Sequence, residues 1–364
     1  MTTHANGCIV LKEAPAIEVP LQTAQTVLSI LRGAKLIDTD LELCRTAETL
    51  TVPLKQFPSN QIISHIRELN VSAIITEQRF VQFTRPPRNL IEAVKSQIPL
   101  NLLEYLPRSY DIIGDIAIID LAEPIQPFAT TVGKAIQQIN PHIRLVVRKL
   151  GIVSGTYRIR NLEILVGSGC TETEHHEYSC RYVLDLSTVY FNPRLSNERM
   201  RVAKQVRFEE TVVDMFAGVG PFSVLIAKMH SNARVYACDI NPAAVKYLKK
   251  NIILNRLVDR VIPIFDDAGK LDQEDVGSQT NRVIMNLPSK AESYLPVALN
   301  LLGSEGTIHY YTFASRNESV DDIRMKVQDV IQSAGRTVRS FSFADVIREI
   351  APGRVQMAMD VVIR

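Results

Sequence analysis

The chain has 364 residues, more than one average domain, and its 46% hydrophobic and 22% charged residues exclude a disordered or low-complexity protein. No apolar run reaches membrane-spanning length, and Met1–Cys8 lacks a basic stretch followed by an apolar core, so a soluble, cytoplasmic protein is expected. The formal net charge is only +2, so the distribution of charge says more about partners than its sum.

Residues 1–84 are predicted to form a small α/β module. Its strands are Ala16 to Leu21, Glu48 to Leu54 and Ala73 to Thr76, with helices Gln22 to Leu31 and Ser59 to Leu69. No catalytic constellation occurs there, and His65 reads as a surface residue. The stiff, polar Arg85-Pro86-Pro87-Arg88 marks a boundary.

Residues 89–189 are expected to form a second, α+β unit. Ile112 to Leu121 is strand-like, Thr131 to Ile139 helical, and Arg144 to Lys149, Leu162 to Val166 and Tyr182 to Leu186 are strands. Alternation in Tyr157-Arg158-Ile159-Arg160 predicts both arginines on one strand face, either a solvated edge or a face that meets phosphates or a base. Glu174-His175-His176-Glu177-Tyr178 is merely polar. Cys170, His175, His176 and Cys180 lie near one another, but their spacing matches no zinc module and no metal is expected. Five scattered cysteines without a Cys-x-x-Cys pair suit a reducing compartment.

From residue 190 to 364 the pattern becomes regular strand–helix alternation. Strands at Val212–Asp214, Val235–Asp239, Val261–Phe265, Arg282–Met285, Thr307–Phe313, Thr337–Phe341 and Val355–Ile363 predict an open, doubly wound, mostly parallel seven-stranded sheet, its final pair antiparallel. Val212 to Ser223 is the hub of this unit. An apolar run ends in Asp214, Gly218-Val219-Gly220 makes a tight turn, and Pro221 opens a helix. A dinucleotide fingerprint needs a third glycine, and Phe222 and Ser223 stand there instead. A ligand without phosphates, packed on Phe216 and reaching Asp214, fits better, and S-adenosylmethionine is such a ligand.

Ligands of such sheets lie across the carboxyl ends of the strands. Asp239 stands where an acid meets ribose hydroxyls, although Asp-x-Asn-Pro is also a helix cap with Pro242 at the first helical position. Asp266 and Asp267 are placed to accept from an adenine amine, and Asn286-Leu287-Pro288 to grip the edge of a planar base or merely to turn. Tyr190 and Phe191 are suited to stacking on a base, and Arg194 to a phosphate or base edge. Glu198 is a candidate general base or a first-turn acid that complements the helix dipole. Two basic stretches, Arg144 to Arg160 and Arg194 to Arg207, favour a polyanionic substrate.

Val189-Tyr190-Phe191-Asn192-Pro193-Arg194-Leu195-Ser196-Asn197-Glu198-Arg199, Val213 to Ser223, Asp239-Ile240-Asn241-Pro242, Asn286-Leu287-Pro288 and His309-Tyr310-Tyr311 together resemble the archaeal and eukaryotic S-adenosylmethionine-dependent tRNA (guanine-37, N1) methyltransferases. The resemblance is specific from about Gly155 to Phe313 and extends in layout to residues 1–84, where the family carries a domain that reads the tRNA outer corner. It implies a class I, Rossmann-like methyltransferase domain at 190–364, preceded by a recognition domain at 1–84 and a middle domain at 89–189. It also implies a monomer acting on tRNA with guanine at position 37.

Carried over residue by residue, the resemblance makes Glu198 the general base and Arg158 the cation that steadies the guanine oxygen. Asn286 and Pro288 then hold the guanine edge, with Tyr190 and Arg194 beside it. Asp214, Phe216, Gly218, Gly220, Asp239, Asp267 and Asn286 become cofactor contacts. Ser289 stands before Lys290, where the family often has lysine directly after Asn-Leu-Pro. Glu177-Tyr178-Ser179 has serine where glycine or asparagine is commoner. Alternatives of another kind are a wyosine-pathway enzyme of the same fold, transferring an aminocarboxypropyl group or a later methyl, and a tRNA-binding protein without catalysis.

Overall fold

The computed structural model describes residues 11–82, 87–277 and 279–364, the side chains of 152–154 excepted. The chain divides into two units, Met1–Pro87 and Arg88–Arg364. Of the proline junction, Arg85 and Pro86 lie outside the described residues.

In the first unit β1 (Leu11–Pro20), β2 (Cys44–Arg45), β3 (Thr49–Pro53) and β4 (Ile74–Val81) form an antiparallel sheet in the order β2-β3-β1-β4. Helices α1 (Ala24–Gly33) and α2 (Asn60–Glu68) contribute Val27, Leu31 and Ile66 to a core shared with Ile17, Val19, Val52 and Leu54.

The second unit opens with α3 (Leu90–Val94) and a four-stranded sheet in the order β5 (Asp111–Ile113), β6 (Ile116–Ile119), β7 (Leu145–Ser154), β8 (Ile159–Val166). Strands β6 and β7 are parallel, joined by a crossover through α4 (Ala129–Ile139). Arg158 precedes β8 in a turn with φ of 54°, so it does not share a strand face with Arg160. Its amide bonds back to the Gly155 carbonyl, which closes the turn before the alternation can begin.

The polar Glu174–Glu177 stretch belongs to a strand. β9 (Glu172–Glu177) and β10 (Cys180–Asp185) form a hairpin whose corner residues, Tyr178 and Ser179, both have positive φ. Its inward face buries Thr173 and Glu177 beside Cys180 and Tyr182, so polar composition hides the strand period.

Beyond α5 (Ser196–Ala203) lies the large sheet. Its strands are β11 (Thr211–Asp214), β12 (Arg234–Asp239), β13 (Val261–Phe265), β14 (Thr280–Met285), β15 (Leu302–Ser315), β16 (Val338–Ala351) and β17 (Arg354–Ile363). They run in the order β13-β12-β11-β14-β15-β17-β16, with β17 antiparallel to both its neighbours and the other pairings parallel. Helices α6 (Pro221–Met229), α7 (Pro242–Leu254), α8 (Gln273–Val276), α9 (Ala291–Leu301) and α10 (Val320–Ser333) interleave. Val212, Val213, Val283 and Ile284 are fully buried, as expected of central parallel strands covered on both faces. The strand order reverses between β11 and β14, which opens a crevice at their carboxyl ends.

Asn251 on α7 and Asn255, which caps its C-terminus, attach the hairpin to this unit. Asn251 accepts from the Val183 amide at 2.7 Å and donates to the Val183 and Val219 carbonyls. One turn later Asn255 accepts from the Arg181 amide and donates to its carbonyl. These side chains supply the backbone pairing that β10 lacks on that edge. Through Val219, Asn251 also touches the turn between the two glycines.

Candidate active site

Strand β11 delivers Asp214 fully buried to the mouth of the crevice. One carboxylate oxygen, Oδ2, accepts from Ser223 Oγ at 2.7 Å, while Oδ1 is buried with no hydrogen-bond partner. Burial pushes the carboxyl up to about 7, with the Ser223 hydroxyl and Phe216 amide opposing it. An acceptor orphaned under a glycine turn is a place for a ligand's donor.

Gly218 and Gly220 both have positive φ, 58° and 92°. A Cβ on Gly220 would lie 2.5 Å from Leu248 Cδ1, so the chain here must be glycine. Pro221 then opens α6 at its first turn.

Asp239 fastens this turn from the next strand. Its Oδ2 accepts from the Gly218 amide at 2.7 Å and its Oδ1 from the Asn241 amide at 2.8 Å. The helix-cap reading of this tetrapeptide holds as well, because Asn241 Oδ1 accepts from the Ala243 amide. Burial raises the Asp239 pKa, opposed by those two amides. Asp267 caps a short helical turn by accepting from the Gly269 amide, and Tyr294 reaches the same oxygen at 3.4 Å. Tyr294 meets Phe216 edge to face, centroids 5.0 Å apart. Asp214, Phe216, Asp239 and Asp267 thus line consecutive strand ends on one side of the crevice.

On the other side, Arg158 Nη1 donates to Ser289 Oγ at 2.9 Å, immediately after Asn286-Leu287-Pro288. The Arg158 and Arg160 guanidiniums stand 5.9 and 5.5 Å from the Tyr190 ring centroid. Burial lowers the Arg158 pKa, with Tyr190 opposing and Arg160 adding to it. A partly desolvated cation is a strong partner for developing negative charge. Arg194 is instead engaged by Asp111, Nε to Oδ1 at 2.6 Å, with Lys149 3.6 Å from the other oxygen. Tyr190, Arg160, Lys149, Asp111 and Arg194 line a pocket of about 300 Å³.

Glu198 is buried on α5. Both its oxygens take the Arg201 guanidinium, at 2.8 and 2.7 Å, and Oε1 also accepts from Tyr311 at 2.7 Å. Among the described residues no hydrogen bond joins Glu198 to Arg158 or Asn286. Its neighbour Arg199 is a different kind of residue, buried against Glu177 and donating to the Asn192 carbonyl.

Sequence reasoning missed Ser223, Tyr294, Arg201 and Asp360. The three-residue spacing of Glu198 and Arg201 on a helix was a usable signal. The contact with Asp360, 159 residues away, had none. Among the described residues no group of three or more potential ligands could hold a metal. His175 accepts at Nδ1 from the Gly114 amide, and His176 pairs with Glu174. No helix is long and apolar enough to cross a membrane among the described residues.

Residues 173–339 match the TRM5/TYW2 methyltransferase domain, and residues 90–171 match the TYW2 N-terminal domain. A tRNA (guanine(37)-N(1))-methyltransferase, Trm5b of Pyrococcus abyssi, is 36% identical across 95% of this chain and 98% of its own length. The chain belongs to the TRM5/TYW2 methyltransferase family. A tRNA 4-demethylwyosine(37)-methyltransferase, Taw21 of Saccharolobus solfataricus, is 33% identical over 69% of this chain and 92% of its own. Among solved structures, a complex of aTrm5 with tRNALeu superposes with a TM-score of 0.81 at 31% identity, covering 96% of this chain and 99% of the other. Family membership makes the chain a methyltransferase, and the doubly wound sheet is the class I fold of its structural relatives.

Proposed function

We propose that this protein transfers the methyl of S-adenosylmethionine to N1 of guanine 37 in tRNA. The observation that carries the reading is the pairing, in one crevice, of a glycine turn over an orphaned buried acid with an Asn-Leu-Pro loop held by Arg158. In this reading residues 1–84 bind tRNA away from the anticodon, 89–189 add Arg158, and 190–364 hold the cofactor.

The crevice fits that cofactor. Asp214 Oδ1 takes a donor of its charged end, Asp239 keeps a free lone pair on each oxygen for the ribose, and Asp267 meets the adenine amine. Phe216 and the turn Gly218–Gly220 supply apolar and main-chain surface, and Asn286 closes the site beside Pro288. S-adenosylmethionine supplies an electrophilic methyl on sulfonium. The protein's task is to make N1 a nucleophile, because that nitrogen bears a weakly acidic proton. Glu198 takes this proton as the N–C bond forms, and Arg158 offsets charge moving onto the guanine oxygen. Tyr190 and Arg194 flank the base, which must leave its stack for the N1 edge to be reached.

The test incubates purified protein with labelled cofactor and unmodified tRNA carrying guanine 37, then identifies the nucleoside. N1-methylguanosine is the expected product, and its absence sinks the reading. A second reading has one specific support: the match at residues 90–171 is to a TYW2 domain, and a relative acts on a wyosine intermediate. Product on tRNA carrying 4-demethylwyosine in place of guanine would favour it.

A further inference from the structure

The Glu198 carboxylate is one end of a charged chain whose Glu198, Asp360, His309 and Arg282 are buried and whose Arg201 is half-buried. Arg201 grips it with Nε and Nη2, and turns its other edge to Asp360 on β17, where Nη2 donates to Oδ1 at 2.9 Å and Nη1 donates to Oδ2. Glu198 is 7% exposed and Asp360 1%. One guanidinium, packed over the Phe343 ring, therefore serves two buried carboxylates.

Asp360 is held from two further directions, by Gln205 and by His309. Gln205 Nε2 donates to Oδ2 at 2.8 Å. Arg282 Nη1 lies 2.8 Å from His309 Nε2, and an arginine can only donate, so Nε2 is the acceptor. The His309 proton then sits on Nδ1 and is donated to Asp360 Oδ1 at 2.6 Å. This fixes a neutral imidazole, consistent with burial lowering its pKa while Asp360 opposes. Glu210 closes the far end by pairing with Arg282. The full order is Glu198, Arg201, Asp360, neutral His309, Arg282, Glu210, with the Tyr311 hydroxyl donating to Glu198.

When Glu198 takes a proton, Arg201 loses one of its two counter-charges. With Glu198 alone as counter-charge, Arg201, whose side chain is 23% exposed, would become an unpaired and largely desolvated cation, which is disfavoured. The second carboxylate removes that cost.

We infer that Asp360 is a positioning residue for methyl transfer: by holding and neutralising the second edge of Arg201, it lets Glu198 accept the guanine proton without leaving the half-buried guanidinium unpaired. The inference rests on Glu198 as the general base. Arg201 cannot pass a proton on, so Asp360 acts through charge and orientation, not as a relay.

The experiment measures single-turnover methylation of tRNA against pH for the full-length protein and for Asp360→Asn, Glu198→Gln and the double variant. Asparagine keeps the shape of Asp360 and removes its charge. Arg201 then faces Glu198 alone and favours the ionised form more strongly. The acid limb of the profile should move to lower pH and the plateau should fall about tenfold, a part of the 10²–10⁴-fold a general base supplies. Cofactor and tRNA affinities should hold. In the Glu198→Gln background Asp360→Asn should cost nothing further.

An equal loss in both backgrounds would show a general structural role and overturn the inference. So would an unchanged rate and profile for Asp360→Asn when Glu198→Gln is slow. A full rate for Glu198→Gln would remove the base reading and this inference together, which separates the two failures. If Asp360→Asn does not fold, judged by cofactor affinity, Arg201→Lys replaces it. An ammonium lacks the fork that serves two carboxylates, so the same non-additivity with Glu198→Gln is expected.

Discussion

Arg158 donates to Ser289 at 2.9 Å, joining the turn before β8 to the residue that follows Asn286-Leu287-Pro288. The two segments are 131 residues apart in sequence. Arg158 sits at positive φ in its turn, and Tyr190 flanks the guanidinium. Serine accepts from the arginine, where a lysine would repel it.

Arg158→Ala should therefore slow single-turnover methylation about 10²–10³-fold, the usual cost of one charge-stabilising donor. Ser289→Ala should cost under about tenfold, since Arg158 survives and loses only one guide. Both should bind cofactor normally by calorimetry. Equal losses for the two variants would mean that the contact, not the cation, is what matters.

Glu198→Gln should keep cofactor and tRNA affinity and slow the chemical step about 10²–10⁴-fold. Its rate should also rise less with pH than that of the unaltered protein. Stopped single turnovers across pH check this. An unchanged rate would move the search for a base to Asp214 and Glu177, although Glu177 is committed to Arg199.

Much of this was legible in the sequence because parallel sheets announce themselves. Val212-Val213 ends in Asp214 and Val283-Ile284-Met285 is followed by Asn286, short apolar runs that each stop at a polar residue, and Asp214 and Asp239 do end their strands. Periodicity failed where the buried face is polar. Glu172–Glu177 is a strand whose inward positions include Thr173 and Glu177, so no alternation was visible. It failed again at Arg158, where a turn mimicked the first residues of a strand. The tie between Arg201 and Asp360 depends on β17 inserting between β15 and β16, a matter of topology that local pattern does not encode.

Removal of residues 1–87 should leave cofactor affinity unchanged, since every candidate cofactor contact lies in the second unit. The truncated protein should lose preference for intact tRNA over an anticodon stem-loop. Competition between the two RNAs measures this, and an undiminished preference would assign the first unit another task.

The last prediction concerns Asp214 and stability. Its carboxyl titrates near 7 in the folded chain against an ordinary value of 3.8, because burial disfavours the ionised form. Between those values the folded state holds a proton that the unfolded state has released. A raised folded pKa stabilises fully below the lower value, and that stability is lost as pH rises through the higher one. Asparagine at 214 keeps the shape and does not titrate. The stability of Asp214→Asn relative to the unaltered protein should therefore climb between about pH 4 and pH 7, by at most about 4 kcal/mol at 1.36 kcal/mol per unit. Taking the difference cancels buried groups that do not interact with Asp214, His309 included, whereas Asp239 is coupled to Asp214 and its own titration shifts with the substitution. Saturating S-adenosylmethionine should shrink the advantage at pH 8, because a donor meeting the orphaned Oδ1 gains more from an ionised carboxylate than from an amide oxygen. Thermal melts of both proteins at pH 4, 5.5, 7 and 8, with and without cofactor, decide the matter. A difference that stays flat with pH would mean that the buried carboxylate is ionised throughout and paid for by groups other than Ser223.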